Sequence, residues 1–273
     1  MNAAKTVHHP IWCWLAMLAC LASCADVLGI PEPSLVSGDP SPDPDAGPGT
    51  DPDAAQPVCV NAPAGVVAWW DGEVLGQDIA GSFSTSGDRG TPVLETGLVG
   101  NAMRFGRNDL LALDAAPTPP MFTVEGWVFV MNQDPTWIGI YGRFTESGLF
   151  VYDNQLTYWD GTFAIGSGEA GNLGQGATKI FEQWQHIACT WDGDTLRTYV
   201  NGALEGSSRV TTGQAALPSR AQIGGLINPN NQGLEDHFIG LIDELTVYSR
   251  ALSESEISMI VAAAAQGKCK PSS

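Results

Sequence analysis

The sequence predicts an all-β fold, a sandwich of two antiparallel sheets with one short C-terminal helix. Three observations support this prediction. Between residues 58 and 270, short stretches of alternating apolar and polar residues are separated by Gly, Asp and Asn, the pattern of short strands joined by turns. Asp-Gly at 192–193 and Asn-Gly at 201–202 stand between such stretches and are strong hairpin signals. A single stretch, near the end of the chain, carries helix start and stop signals.

Eleven segments are predicted strands, and the fourth of them is predicted to be central. In FTVEGWVFV, over 122–130, alternate residues point to opposite faces, and neither face is wholly polar, which is typical of a strand inside a sandwich. No repeat with a period of 20 to 50 residues is present, which excludes solenoids and propellers. The segments are GVVAWW, NAMRF, LLAL, FTVEGWVFVM, TWIGIYG, LFVY, QLTYW, WQHIACTW, TLRTYV, AQIGG and HFIGLIDELTVY.

The predicted helix lies in SESEISMIVAAAAQGK. Ser253 stands at its N-cap and Glu256 follows three residues later, which together form a capping box. Gly267 ends the pattern, as a glycine does at many helix C-termini.

The first 57 residues carry targeting and tether signals. Within residues 1–23, the basic Lys5 is followed by the apolar run IWCWLAMLACLA, which is the pattern of a secretory signal. The run is too short to span a bilayer as a helix. It ends in LASC, which resembles the lipobox of bacterial lipoproteins and predicts lipidation of Cys24; ordinary cleavage near Ala25 is the alternative. Residues 24–57 contain seven acids, no base and many prolines, so we predict an extended, disordered tether on the bacterial outer membrane or cell surface.

Charge and cysteine positions restrict the possible partners and the compartment. The formal net charge of −18 argues against nucleic acid or anionic lipid as partner and is compatible with divalent cations and neutral glycans. Cys59 and Cys269 bracket the predicted domain, and disulfides persist in exported proteins, so we predict a bond between them. Cys189 lies inside an alternating strand and is predicted to be a buried thiol.

Six segments carry a family resemblance in chain order: GVVAWWDGE, GLVGNAMRFG, FTVEGWV, WQHIACTWDGDTLRTYVNG, IGG and FIGLIDELTVYSRALSESEI. Together they resemble laminin G-like jelly-roll domains of the concanavalin A-like lectin/glucanase superfamily, over 59–269. The resemblance implies a jelly-roll sandwich of two sheets of six or seven strands, which predicts a domain over 58–273. It implies less about function, because the superfamily holds glycan binders, adhesion modules and hydrolases.

The resemblance also points to a candidate calcium site. Some laminin G-like domains bind Ca²⁺ at the rim of the sandwich, and Ca²⁺ prefers six to eight oxygen ligands. The candidate ligands are Asp71 and Asp78, after the first strand, and Asp243, with Glu244 expected on the opposite face. In the alternative interpretation, Asp71 and Asp78 shape turns, Asp243 accepts backbone hydrogen bonds and Glu244 is solvated.

Glycoside hydrolysis is chemistry that the superfamily also contains. Retaining hydrolysis needs two carboxyl groups about 5–5.5 Å apart, and laminarinase-type members supply them from E-x-D-x-x-E or E-x-D-x-E. Neither pattern occurs here, and the adjacent acids of LEDHF and LIDEL are expected on opposite faces of a strand. G-x-S-x-G, the motif of many serine hydrolases, is absent, and His186 matches a structural position of the resembled family. No catalytic residue is predicted.

Aromatic residues in the middle of the chain are the candidate ligand contacts. Aromatic faces together with amides and carboxylates hold neutral sugars, whereas packing in the core or on an outer face is the alternative for each residue. The stretches GSGEAGNLGQGA and INPNNQGLEDH are long and polar, as loops that carry specificity are. The candidates are Trp137, Tyr141, Tyr152, Tyr158 and Trp159, of which Tyr158 and Trp159 point to opposite faces.

These observations predict a non-catalytic, monomeric binding module for a glycan or a glycosylated partner, anchored to a membrane only through its N-terminal lipid. A glycoside hydrolase with an unrecognised pair of acids is one alternative. A scaffold that docks protein partners is the other.

Overall fold

The computed structural model describes residues 59–131, 137–144, 146–152, 155–159, 164–166, 178–209 and 215–271. The chain divides into two units, 1–54 and 55–273; the first, with the predicted signal, Cys24 and most of the tether, lies outside the described residues. Within the described part, no helix is long and apolar enough to cross a membrane.

Nineteen strands and one α-helix make up the described domain. In chain order they are β1 (Val60–Asn61), β2 (Val66–Trp70), β3 (Gly87–Arg89), β4 (Val93–Thr96), β5 (Asn101–Phe105), β6 (Leu110–Leu113), β7 (Phe122–Val130), β8 (Ile138–Gly142), β9 (Gly148–Tyr152), β10 (Gln155–Trp159), β11 (Ala164–Gly166), β12 (Trp184–Trp191), β13 (Thr195–Val200), β14 (Ala203–Arg209), β15 (Ala221–Ile223), β16 (Leu226–Ile227), β17 (Leu234–Glu235), β18 (Gly240–Tyr248), α1 (Glu254–Ala263) and β19 (Lys268–Cys269).

Two large antiparallel sheets form the sandwich. One has seven strands in the order β11-β10-β9-β8-β15-β6-β3. The other has eight, in the order β14-β13-β12-β7-β18-β5-β4, with β2 also paired to β18. Strand β7 lies in the middle of the second sheet, as its two apolar faces predict. The prediction of an all-β, two-sheet jelly roll with one C-terminal helix is confirmed.

One sheet has the six or seven strands that the resemblance implies and the other has eight, and each ends in a short strand, β3 or β4. Every residue of β3 and β4 is exposed. A strand with no buried face leaves no alternation in the sequence, so these two could not be recognised from periodicity.

The core lies between the two sheets and is built by alternation along the strands. On β7, Phe122, Val124 and Val128 point inward and are fully or almost fully buried. Rings meet across the core: the centroids of Phe122 and Tyr158 are 5.9 Å apart, as are those of Trp70 and Tyr141.

The C-terminal helix covers part of the outer face of the eight-stranded sheet. Helix α1 packs Ile257 and Ile260 against Ala188 and Tyr248 in a second apolar cluster. Its N-terminus has the predicted capping box, in which Ser253 accepts from the backbone of Glu256 and the Glu256 side chain accepts from the backbone of Ser253.

The ends of the domain are joined covalently and by backbone pairing. Cys59 and Cys269 form a disulfide with their Cα atoms 4.9 Å apart, which confirms the predicted bond. Strands β1 and β19 pair in parallel beside it. Cys189 is a free, buried thiol, and burial raises its pKa.

Candidate functional site

The outer face of the seven-stranded sheet carries a cluster of aromatic side chains on β9, on β10 and immediately before β8. Leu149, Val151 and Leu156 point into the core, so their neighbours along the strands point outward. The Trp137 ring lies 4.4 Å from Tyr152, 5.3 Å from Phe150 and 5.7 Å from Trp159, between centroids. We call Trp137, Phe150, Tyr152 and Trp159 the aromatic cluster.

Three members of the aromatic cluster remain partly open to solvent. Phe150 is buried at 3 % exposure, whereas Trp137, Tyr152 and Trp159 are half-buried. The rings hold one another in place, and part of the surface of these three rings stays exposed to solvent. Half-open, mutually packed rings offer a rigid apolar surface of the kind that stacks on sugar rings.

The other half of this outer face is covered by a hairpin, residues 224–238. It leaves the core after Ile223 and returns at Phe238, which is again a core residue. Between these points β16 and β17 pair with each other. A Cβ on Gly139 of β8 would lie 2.9 Å from Cγ of Leu226 and 3.2 Å from the carbonyl oxygen of Asp236. The absence of a side chain at Gly139 therefore lets the hairpin lie directly on the sheet.

Polar contacts hold the 224–238 hairpin at both ends. The amide of Gly139 donates to the carbonyl of Asp236 at 2.7 Å. The amide of Ile227 donates to Oε1 of Gln222, on β15, at 2.9 Å. At the far end Arg89 on the edge strand β3 donates to the carbonyl of Gln232 at 2.8 Å. The hairpin thus runs across the sheet from β8 to β3.

Two adjacent acids, Glu235 and Asp236, lie on the 224–238 hairpin. Asn228 and Asn231 donate to Oε1 of Glu235 at 2.9 and 3.1 Å. Burial and the neighbouring charge of Glu235 raise the pKa of Asp236 to about 7. The outer face of this sheet therefore carries aromatic faces on its strands and amides and carboxyl groups on its hairpin, which are the kinds of group that bind neutral polyols.

Of the five predicted ligand contacts, three lie together on the outer face of the seven-stranded sheet and two are buried in the core. Trp137, Tyr152 and Trp159 belong to the aromatic cluster. Tyr158 is 1 % exposed and points inward, as its alternation with Trp159 requires. Tyr141 is fully buried, because a register shift between Gly139 and Tyr141 in the β8–β9 pairing turns its side chain into the core. Neither tyrosine is available to a ligand.

Sequence reasoning missed Phe150 and the place of the hairpin. Phe150 shares the outward parity of Tyr152 along β9, so strict alternation would have found it. The position of the hairpin depends on Gly139 in a distant segment, which no local pattern in INPNNQGLEDH reveals.

The predicted calcium ligands are engaged in other contacts. Oδ1 of Asp78 accepts from the amides of Trp69 and Ala80, and its Oδ2 accepts from Phe83. Asp71 forms an ion pair with Lys270 at 2.8 Å. These side chains shape the loop after β2, as the alternative interpretation has it.

Asp243 is held in a comparable way. Its Oδ2 accepts from the amides of Leu98 and Val99, both at 2.9 Å, and its Oδ1 has no partner among the described residues. No group of three or more His, Cys, Asp or Glu side chains that could hold a metal is found in the described residues. Within the described residues, Asp71, Asp78 and Asp243 therefore each have partners of their own and do not form one group of ligands.

A β-bulge changes the expected position of Glu244. Asp243 pairs with Trp127 and Thr246 pairs with Glu125. Between these two pairs β18 has two residues, whereas β7 has only one. Glu244 is the extra residue, with φ 56°, and its carboxylate lies 3.7 Å from Nζ of Lys268, on the face that carries Glu125. The expectations that Asp243 and Glu244 lie on opposite faces and that Glu244 is solvated are both wrong.

Burial gives this pair of acids unusual proton affinities. Asp243 is fully buried and Glu244 is 1 % exposed. Burial raises the pKa of Asp243 to about 7. Burial, opposed by Lys268 and aided by Asp243, raises the pKa of Glu244 to about 8. A substrate cannot reach either carboxyl group.

A buried polar network beside them explains His186. The Glu125 carboxylate lies 2.8 Å from Nε2 of His186 and 2.5 Å from Nζ of Lys268, and accepts from Tyr248 at 3.2 Å. Burial would raise the pKa of Glu125, but the charge of Lys268 and the hydrogen bond of His186 lower it to about 2. His186 thus pairs with a fully buried carboxylate, which is the structural role predicted for it.

The fold is a two-sheet antiparallel β-sandwich, and comparison with protein families agrees. The family model Laminin_G_3, of the concanavalin A-like lectin/glucanases superfamily, matches residues 105–258, more than half of the chain. The chain therefore belongs to this family. No curated protein matches it.

Solved structures with the same fold include carbohydrate-related and toxin domains. Domain 4 of AbnA, a GH43 extracellular arabinanase from Geobacillus stearothermophilus, solved in complex with arabinotriose, matches with a TM-score of 0.55 and 20% identity, over 71% of this chain and 97% of that domain. The binding domain of Paraclostridial Mosquitocidal Protein 1 matches with a TM-score of 0.54 and 14% identity, over 72% and 52%. The botulinum neurotoxin serotype D binding domain matches with a TM-score of 0.54 and 12% identity, over 72% and 51%. This chain spans about half the length of the two toxin domains.

Proposed function

We propose that this chain is a non-catalytic binding module that holds a glycan or a glycosylated partner against the aromatic cluster. The observation that carries the proposal is the packing of Trp137, Tyr152 and Trp159 into a half-open surface beside the polar hairpin. The arabinanase domain that shares the fold and was solved with arabinotriose gives further support.

Glycan-array binding of the purified full-length chain tests this proposal. Alanine at Trp137 and Trp159 removes most of the stacking surface, so we expect binding of every retained glycan to weaken at least about tenfold. Trp184→Ala is the matched control, because Trp184 is a half-buried tryptophan packed on Phe129, on the outer face of the other sheet. Equal loss in both variants, or no loss in the double variant, would contradict the proposal.

Glycoside hydrolysis is the second candidate, and one observation favours it. The bulge brings Asp243 and Glu244 to the same face with raised pKa values, as catalytic carboxyl pairs often have. Their burial opposes the idea. Release of shortened glycans in the same assay, lost in Glu244→Gln, would establish hydrolysis.

The proposal includes calcium dependence and lipidation as separate predictions. EGTA in the array buffer tests calcium: unchanged glycan retention removes calcium dependence and leaves glycan binding intact. Incorporation of an alkyne-labelled fatty acid, lost in Cys24→Ala, tests the lipid anchor at the envelope. An unlabelled wild-type chain would contradict lipidation.

A further inference from the structure

The three half-exposed rings of the aromatic cluster form a row. The ring of Trp137 lies 5.7 Å from that of Trp159 and 4.4 Å from that of Tyr152, between centroids. Among the described residues, Tyr152 and Trp159 have no ring contact with each other. Trp137 is therefore the middle ring of the row, and the other two rings are its ends.

The row is longer than a single sugar. In the β9–β10 ladder Trp159 stands opposite Gly148, which is the first residue of β9. Tyr152 is the last residue of the same strand. At a rise of about 3.3 Å per residue, these two levels along β9 are about 13 Å apart. A sugar ring is similar in size to one aromatic ring, so a ligand that touches both ends of the row contains several linked sugars.

The rings of the row do not share one plane. Trp137 is inclined by 39° to Tyr152 and by 68° to Trp159. Phe150 is buried beneath the row, 5.3 Å from Trp137, so packing fixes these inclinations before a ligand binds. The flat face of a crystalline polysaccharide presents coplanar sugars and cannot stack on all three rings. A single glycan chain can follow the rings because it turns at each glycosidic bond.

The 224–238 hairpin also favours a narrow ligand. It lies on Gly139 of β8, which is two residues after Trp137 and on the same outer face. The hairpin therefore borders the row on the β8 side. A broad flat surface would collide with this raised segment, whereas a single chain fits beside it.

We propose that the aromatic cluster binds a run of several sugars within a single, dissolved glycan chain, in preference to single sugars and to crystalline polysaccharide. The inference rests on the proposed function of the aromatic cluster and specifies its ligand. Each further sugar that reaches a ring adds a stacking contact without the cost of bringing a second molecule to the site. Affinity therefore grows with chain length until the row is covered.

Calorimetric titration of the full-length chain with oligosaccharide series tests the proposal. The probes are arabinan, xylan, mannan, galactan and cellulose fragments of one to six sugars. For the series that binds best, we expect affinity to rise at least about tenfold from one sugar to three, and to change by less than about threefold from four sugars to six. Pelleting with crystalline cellulose or crystalline chitin should leave the chain in solution.

Variants at the two ends of the row show whether the length dependence comes from these rings. Trp159→Ala and Tyr152→Ala each shorten the row, so the gain from one sugar to three should fall below about threefold. Trp184→Ala, on the outer face of the other sheet, is the matched control and should keep the full gain. Urea denaturation confirms that each variant folds.

The results distinguish failure of this inference from failure of the proposed function. Equal affinity for one sugar and for six, a full gain in either end variant, binding in none of the five series, or retention on a crystalline polysaccharide overturns the inference, while glycan binding on the array stands. If the glycan array is blank, or if Trp137→Ala leaves binding unchanged, the proposed function itself fails and the inference fails with it.

Discussion

Glu125 and Lys268 form a fully buried ion pair that ties the end of the chain to the middle of a sheet. Lys268 is 3 % exposed and also donates to Thr246 at 2.7 Å, while its ammonium group lies 4.9 Å from the Trp69 ring. A buried ion pair adds little stability compared with a well-packed apolar pair. Removal of one partner is costly, however, because it leaves the other charge buried and unpaired.

Lys268→Met should therefore lower the free energy of unfolding by about 3–5 kcal/mol. Urea denaturation measures the change. The double variant Glu125→Gln, Lys268→Met removes both charges and should recover a large part of the loss. A single variant as stable as the wild type would show that Glu125 finds other compensation.

Asp243 and Glu244 predict an unusual dependence of stability on pH. Their pKa values in the folded chain, about 7 and about 8, lie above the ordinary 3.8 and 4.5. The folded chain thus holds these protons more tightly than the unfolded chain, so their stabilising contribution is complete below about pH 4 and is lost as the pH rises through 7 to 8. From pH 5 to pH 8 we expect the free energy of unfolding to fall by about 6 kcal/mol if both groups contribute independently.

Urea denaturation across this pH range, in the wild type and in Glu244→Gln, checks the sign. The glutamine cannot ionise, so the slope of stability against pH should flatten. Stability that rises from pH 5 to pH 8 would show that these carboxyl groups are ionised in the folded chain.

The 224–238 hairpin is an element whose position depends on one glycine. Alanine at Gly139 would place Cβ 2.9 Å from Leu226 and 3.2 Å from the carbonyl of Asp236, so the hairpin must move away from the sheet. Gly87 on β3 belongs to the same sheet, and a Cβ there would meet no atom within 4 Å, which makes this glycine a matched control.

Gly139→Ala should lower the free energy of unfolding by about 1–2 kcal/mol, whereas Gly87→Ala should change it by less than about 0.5 kcal/mol. Thermal or urea denaturation compares the two. If both substitutions change the free energy of unfolding equally, the contact between Gly139 and the hairpin tolerates a methyl group.

Elements differ in how far the sequence could predict them. The eleven predicted strands all correspond to strands of the structure, because a side that faces the core leaves a two-residue alternation. The direction of Tyr141 and the common face of Asp243 and Glu244 could not be predicted, since each depends on a register shift set by the neighbouring strand. The aromatic cluster was predictable in part, from Trp137, Tyr152 and Trp159, but the hairpin beside it was not.

For the whole molecule, the bond between Cys59 and Cys269 closes nearly the entire described domain into one loop. The two residues are 210 positions apart, and the chain-entropy account gives about 5 kcal/mol for a loop of this size. Replacement of both cysteines by serine should lower the free energy of unfolding by about 3–5 kcal/mol.

Urea denaturation with and without dithiothreitol measures this contribution. Reductant should destabilise the wild type and leave the double serine variant unchanged. If reductant has no effect on the wild type, the bond contributes nothing to the folded state.

The bond between Cys59 and Cys269 also determines which strands carry a mechanical load applied to the domain. A pull that enters along the chain before Cys59 would otherwise peel β1 away and unravel the sandwich from that end. With Cys59 joined to Cys269, the force passes at once to β19 and the buried Lys268 beside it. A load applied through the residues before Cys59 is therefore shared by β1 and β19.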